Sequence, residues 1–296
     1  MTLAMTLLVR DEMDIIQANL DFHLTQGVDH VVVIDNGSVD GTRGFVQEYA
    51  RNHPVTLIDQ PEQTYNQTRW MTDAALHARD HLGATWVLNN DADEFWLSPS
   101  GNLKDHLGEG VPDSLICQRH NMVFAWNGDD HTHWAETALF HVAKPLNVKL
   151  TDVPLMAPLP CPYFYRRLPP KVLTRTRGLT KIAQGNHSAE YAHAAITGPS
   201  DIQIYHYPVR SRVQLRSKVE NGGRSYAANT EFSQNVGWHW RRWYQMLNTQ
   251  GIDAVMADAL PSTTALQQDL GNGTLIRDAI IAPLLTGASA PSGTDT

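Results

Sequence analysis

Two aspartates separated by one residue, Asp91-Ala92-Asp93, sit in the segment TWVLNNDADEFW and carry the most evident chemistry of the chain. Carboxylates that close suit a hard divalent cation, Mg²⁺ or Mn²⁺, which takes oxygen ligands and keeps positions open for substrate phosphates. The spacing alone says little, because Glu12-x-Asp14 repeats it within a stretch of helical periodicity. Position says more. The pair follows the apolar run TWVL, which reads as a buried strand, and carboxylates at the end of such a strand are costly unless something compensates them. The competing reading makes Asp91 or Asp93 the N-cap of a short helix near Leu103, or a solvated turn acid. A second polar turn, DNGSVDGT, begins at Asp35 directly after the run VVVI. An ordinary strand-to-helix turn accounts for Gly41 and for Asp40 as a cap, but not for Asp35.

The elements that must position these acids are legible in the first 110 residues. Thr6–Val9 reads as a short strand, and Glu12–Gln26 then places Ile16, Leu20 and Leu24 on one helical face. Val31–Ile34 is a β-branched strand buried on both faces, Thr42–Arg51 a helix, Val55–Ile58 a strand, Gln67–His81 a helix and Thr85–Leu88 a fourth strand. Strands joined by helical crossovers of this length form a parallel sheet with helices on both faces. Ligands of such sheets bind at the carboxyl ends of the strands, here Arg10-Asp11-Glu12, Asp35-Asn36, Asp59-Gln60 and Asn90-Asp91. Beyond residue 111 the periodicity fades. Six prolines between residues 153 and 170 predict irregular or extended chain, whereas Arg210–Asn221 and Trp238–Asn248 are helical in pattern. The domain expectation is a main domain over 1–225, divided into halves 1–110 and 111–225, a helical extension over 226–285 and a disordered tail over 286–296.

The formal net charge of -8 hides a split. Residues 1–110 carry 17 acids against 6 bases, whereas residues 166–242 carry 13 bases against 4 acids. The acidic front argues against a nucleic-acid partner, which needs a clustered basic face. The basic stretch suits a small anion better. Two cysteines give no disulfide framework, so a reducing compartment is the default. No signal-type segment opens the chain and no run approaches the ~20 apolar residues of a membrane span. The expectation is a cytoplasmic protein, with peripheral association at the inner membrane face left open.

VRDE at the first strand end, VDHVVVIDNGSVDGT and TWVLNNDADEFW, in that order, resemble the family-2-like glycosyltransferases with the nucleotide-sugar-binding GT-A fold. The chain is most similar to a bacterial subgroup that continues with Lys-x₅-His, here Lys181…His187, and with a His-Tyr…Arg-Ser…Lys element, here His206-Tyr207, Arg210-Ser211 and Lys218, followed by Gly222-Gly223. The resemblance is dense over residues 5–100 and sparse but ordered over 115–225. It implies a GT-A-like, Rossmann-type α/β fold: a mixed, mainly parallel sheet flanked by helices, with a C-terminal extension. Two departures stand out. Asn36 occupies a position where members more often carry a second Asp, and the Gln-x-x-Arg-Trp signature of processive synthases is missing, the run Trp238–Trp243 giving only an echo of it.

By the same resemblance, Asp91 and Asp93 hold Mn²⁺ or Mg²⁺ on the donor diphosphate and contact the ribose, and His206 completes the metal shell. Asp35 reads the nucleotide base with Glu12 beside it, and Arg69, Lys181 and Lys218 are cations for the donor. The implied reaction moves a sugar from a nucleoside-diphosphate sugar, a UDP-sugar first among them, to a glycan or lipid-linked acceptor. The chemistry fits independently: a departing diphosphate needs a metal and charge-assisted donors, and inversion needs a carboxylate to deprotonate the acceptor hydroxyl. Asp129, Asp130, Glu136 and Glu190 are candidates for that base, with Asp130 and Glu136 preferred. Two rivals are a sugar-phosphate nucleotidyltransferase and a non-catalytic nucleotide-sugar-binding module. The first requires a Gly-rich loop where this chain has Arg10-Asp11-Glu12.

Overall fold

The computed structural model describes residues 1–62, 66–129, 133–147, 153–228 and 237–286. In chain order the elements are β1 (Leu3–Val9), α1 (Ile16–Thr25), β2 (His30–Asp35), α2 (Thr42–Tyr49), β3 (Val55–Asp59), α3 (Gln67–Leu82), β4 (Trp86–Asp91), β5 (Glu94–Leu97) and β6 (Ser114–Val123). There follow α4 (Trp134–Thr137), β7 (Phe140–Val142), β8 (Lys171–Arg175), β9 (Leu179–Ile182), β10 (Ala189–Tyr191) and β11 (Thr197–His206). The remainder is α5 (Arg212–Ala228), α6 (Trp238–Gln250), α7 (Ile252–Ala259), α8 (Thr263–Gly271), β12 (Leu275–Arg277) and α9 (Ala282–Thr286). Two compact units divide the chain: residues 1–119 with 169–206, and residues 120–168 with 207–296. This division cuts across the linear 1–225 and 226–285 partition expected from sequence, because the segment 120–168 interrupts the first unit. The tail expected over 286–296 lies outside the described residues, save Thr286.

In the first unit β3, β2, β1 and β4 are parallel neighbours; β8 continues the sheet antiparallel to β4, and β6 follows antiparallel to β8. Register brings Val9, Asp35 and Asp59 into one row and sets Leu8 against Asp91. The expected strand-end acids therefore share one edge. The sheet is mixed and mainly parallel over these four strands, as expected, and β5 pairs antiparallel with β11 beyond β4 so that His206 faces Glu94.

Helix α3 shows why the local sequence folds as it does. Trp70, Met71, Ala74, Ala75 and Ala78 fall on one stripe and are buried against Ala4, Val32, Ile34 and Val87 of the sheet and Leu179 and Ile182 of β9. The Asn66 side chain accepts from Arg69 N at the start, and Gly83, at φ +65°, ends the helix in the left-handed conformation a C-terminal stop requires. Helix α1 begins at Ile16 rather than at Glu12. The Glu12 carbonyl instead accepts from Ile15 N and Ile16 N, so Glu12-x-Asp14 precedes the helix.

The second unit is mainly helical, with β7 between the end of β6 and β12. The aromatic run Trp238–Tyr244 lies on α6 and serves packing: Trp243 is buried edge-on to Tyr163 at 4.8 Å, and Arg242 forks onto Asp258. Gly222 and Gly223 belong to the same packing, since a Cβ on Gly223 would strike the Tyr244 ring and one on Gly222 would meet Trp240 at 3.0 Å.

Candidate active site

The edge of the first unit is built from two stitched turns and one buried charge cluster. After β1, Asp11 takes φ +56°, a left-handed conformation that Asp tolerates better than most residues. Its N–H donates to Ser38 Oγ at 3.0 Å, and its carboxylate accepts from Val39 N at 2.7 Å. Asp40 accepts from Thr42 N, Thr42 Oγ1 and Met13 N. Burial works against the charged form of Asp40, yet those donors hold its carboxyl below the usual range. Asp40 is therefore structural, as its turn chemistry predicts.

Asp35 is different. Its Oδ2 accepts from Gly37 N and Ser38 N, both at 3.1 Å, while Oδ1 is buried without a hydrogen-bond partner. A carboxylate oxygen in that condition is costly until a donor reaches it. Glu12 is also buried, its backbone N–H held by Thr42 Oγ1. Asn36, where an Asp is commoner in the resembling family, gives its amide hydrogens to Gln60 O and Glu62 O at 2.9 and 2.8 Å. An Asp could donate neither bond. The departure therefore ties the chain after β3 to this turn.

The Asp91-Ala92-Asp93 turn links β4 to β5. Neither aspartate caps the short 3₁₀ turn at Leu103–His106, whose cap is Asn102, so that reading falls. The turn rests on buried amides: Asn19 donates to Ala92 O and Glu94 O, Asn90 donates to Asn19 Oδ1 and Glu94 O, and Trp96 Nε1 donates to Asn90 Oδ1. Beneath them His23 donates from Nδ1 to Asn19 O and accepts at Nε2 from Trp96 N. Burial lowers its pKa to about 4, so the ring is neutral, as that pair of bonds requires.

Asp93 Oδ2 lies 3.6 Å from His206 Nε2, and both side chains are largely buried. Asp91 is about one-third exposed, with Oδ2 2.6 Å from Lys171 Nζ. Lys171 is fully buried. Its Nζ also stands 2.5 Å from Glu94 Oε2, an ion pair without hydrogen-bond alignment, while Glu94 Oε1 accepts from Arg119 at 2.7 Å. Burial alone would raise the Glu94 pKa; Lys171, Arg119 and His206 outweigh it, and the carboxyl is held below its usual range. His187 donates from Nδ1 to Pro170 O, and burial, with help from the nearby Arg119 and Lys171, keeps its pKa low.

The first unit thus brings Asp91, Asp93 and His206 to one turn, with Asp35 and Glu12 on the same strand edge. Arg69 and Lys181 are exposed and carry surface pairs, Arg69 with Glu62 and Asp73, Lys181 with Glu190. In the second unit Glu136 is exposed on α4, Lys218 is partly buried on α5 and Asp129 is exposed; Asp130 lies outside the described residues. Sequence reasoning missed Glu94, Arg119 and Lys171. Glu94 was in view in DADEFW, but Lys171 and Arg119 reach it only through the antiparallel strands β8 and β6, which no local pattern pairs with β4.

Among the described residues no three His, Cys, Asp or Glu side chains are gathered as a ready-made metal set. The donor chemistry fits a divalent cation in part. Two ligands of one cation, each at about 2.1 Å, stand roughly 3 to 4 Å apart, and Asp93 and His206 do so. On Asp91 one oxygen is already engaged by Lys171.

No curated protein matches the chain. Among solved structures it is similar to the crystal structure of S. aureus TarS 1-349, at 13% identity and TM-score 0.41, over 97% of this chain and 83% of that one. It is similar to the same fragment in complex with UDP-GlcNAc at 13% identity and TM-score 0.39, over 84% of this chain and 73% of that one. It is also similar to S. aureus TarS at 13% identity and TM-score 0.39, over 97% of this chain and 52% of that one. Residues 10–145, which hold both stitched turns and the Asp91-Ala92-Asp93 turn, match the model of glycosyl transferase family 2. That stretch is similar to the family-2 glycosyltransferases, and the chain is a glycosyltransferase.

Proposed function

We propose that this glycosyltransferase moves a sugar from a nucleoside-diphosphate sugar to an acceptor hydroxyl by a single inverting displacement, with Mn²⁺ or Mg²⁺ held by Asp93 and His206 and shared with Asp91. The observation that carries the reading is the convergence of Asp93 and His206 on the strand edge that also holds the orphaned Asp35 Oδ1. A buried oxygen that can only accept fits an N–H of the nucleotide base. Glu12 borders that contact. When bound, the cation would supply charge stabilisation for the leaving diphosphate. Arg69, Lys181 and Lys218 are the cations proposed for the donor phosphates. The pairs that hold Arg69 and Lys181 are exposed and cost little to exchange. Asp130 and Glu136 remain the proposed bases for the acceptor hydroxyl. The 1–110 stretch is proposed as the nucleotide-sugar-binding half, 111–225 as the half that serves the acceptor and completes the metal site, and 226–285 as an extension. A glycan or lipid-linked acceptor, and with it surface polysaccharide synthesis in the cytoplasm or at the inner membrane face, extends the reading. Among the described residues no helix is long and apolar enough to cross a membrane.

The test is a thermal-shift panel of nucleotide sugars, UDP-GlcNAc included, with and without Mn²⁺, followed by turnover of whichever donor stabilises the protein. Asp93→Ala should lower turnover by about 100-fold or more, on the scale of losing a main stabiliser of transition-state charge. Glu48→Gln, on an exposed pair with Arg51, should leave it unchanged. An Asp93→Ala enzyme of normal activity would remove the site as described.

A further inference from the structure

The first acid of the Asp91-Ala92-Asp93 turn already has a cation of the chain's own. Lys171 comes from β8, on the antiparallel side of β4, and is fully buried, so it cannot itself lie against a solvent-borne donor. Its one aligned carboxylate bond goes to Asp91 Oδ2, the acid that is part exposed. Its other neighbour, Glu94 Oε2, is wholly buried, 2.5 Å away and without a hydrogen bond. An ammonium has three hydrogens, and a buried carboxylate oxygen so close to one is an acceptor held in reserve. Arg119 fixes the opposite oxygen of Glu94 and so keeps that reserve in place.

We propose that Lys171 is an internal counter-ion that competes with the divalent cation for Asp91, and that it yields Asp91 by turning its hydrogen bond onto Glu94 Oε2. Asp91 offers both carboxylate oxygens to the cation only after this exchange, since Oδ2 is held by Lys171 until then. Lys171 and Glu94 are positioning residues, with opposite effects on metal affinity. The proposal rests on the metal-assisted site proposed above, but concerns two residues that would touch neither metal nor donor.

The experiment is a titration of the full chain with Mn²⁺, read as loss of the free-ion electron paramagnetic resonance signal, without nucleotide and without turnover. Removing the competing ammonium in Lys171→Met should tighten Mn²⁺ binding by about tenfold, the scale of one charge-assisted hydrogen bond. Removing the reserve acceptor in Glu94→Gln should weaken it by a similar factor. A residue that merely braces the turn would weaken binding in both variants. Melting curves establish which variants are folded at the titration temperature. The double variant Lys171→Met/Glu94→Gln, which removes the buried pair as a unit, is read in place of one that is not, and should bind more tightly than wild type. Equal affinities, changes of the same sign, or no Mn²⁺ binding in any of these proteins would overturn the proposal. If the wild-type chain binds Mn²⁺ and nucleotide sugars stabilise it, that failure belongs to Lys171 alone; if it binds no Mn²⁺, the proposed metal site falls with it. If no nucleotide sugar stabilises it, it is the functional reading that falls, whatever the Mn²⁺ titration shows.

Discussion

Glu94→Gln gives a sharp test of how the first unit holds its charged turn. Glu94 is fully buried with Arg119 on Oε1 at 2.7 Å and Lys171 at 2.5 Å from Oε2. Glutamine keeps the shape but has one acceptor oxygen, so whichever way the amide turns, one buried cation faces an N–H₂ group. Removing one partner from a buried ion pair costs about 3–5 kcal/mol, because the remaining charge stays desolvated. Asp91 and the Pro169 carbonyl still accept from Lys171 and Arg119, which puts the expected loss at the lower end. At roughly 2–4 °C per kcal/mol the midpoint should fall by about 6–12 °C. The pH profile supplies an independent sign. The folded pKa of Glu94 is lowered, so its charge stabilises the fold above the unfolded carboxylate range, near pH 4.5, and that contribution is lost as pH falls through the depressed folded value. Glu94→Gln should therefore be destabilised at pH 7 and lose part of the acid limb of the wild-type profile. Scanning fluorimetry from pH 3 to 8 measures both. A midpoint within about 2 °C of wild type at pH 7, with the acid limb unchanged, would refute the buried-pair reasoning.

Asp35→Asn should weaken the stabilising nucleotide sugar by roughly 10- to 100-fold, the scale of one hydrogen bond to a charged group, while moving the midpoint little. Isothermal titration checks it, and an unchanged affinity would mean the orphaned Oδ1 is not the base contact. Asn36→Asp should cost about 2–4 kcal/mol, since two donors to the Gln60 and Glu62 carbonyls are lost and a carboxylate is pressed against both. Urea unfolding reads it, and a neutral result would show that the chain after β3 is held by other contacts.

What was legible in the sequence divides along physical lines. The strands β1 to β4 and helices α1 to α3 announce themselves because each buries a periodic stripe against its immediate neighbours in the chain, as Val31–Ile34 and Trp70–Ala78 do. The strand-end acids follow from that pattern with no further information, since parallel register must line up Val9, Asp35 and Asp59. The charge cluster does not follow. Glu94, Arg119 and Lys171 come from three strands, two of them antiparallel additions whose pairing is set by contacts far apart in the chain, and a lysine after two prolines resembles any solvated loop charge. Composition misled in the same place. The basic stretch after residue 166 suggested cations reaching outward to an anion, yet its most buried member, Lys171, reaches inward to the chain's own acids. That inversion has a mechanistic cost and a use. A turn carrying Asp91, Asp93 and Glu94 together would repel itself in the absence of ligand, so two fixed cations make the acidic edge affordable in the resting protein. If the proposed metal site is right, the same neutralisation means that an incoming cation would meet a site already partly satisfied, with an affinity set as much by what Lys171 gives up as by what Asp93 and His206 offer.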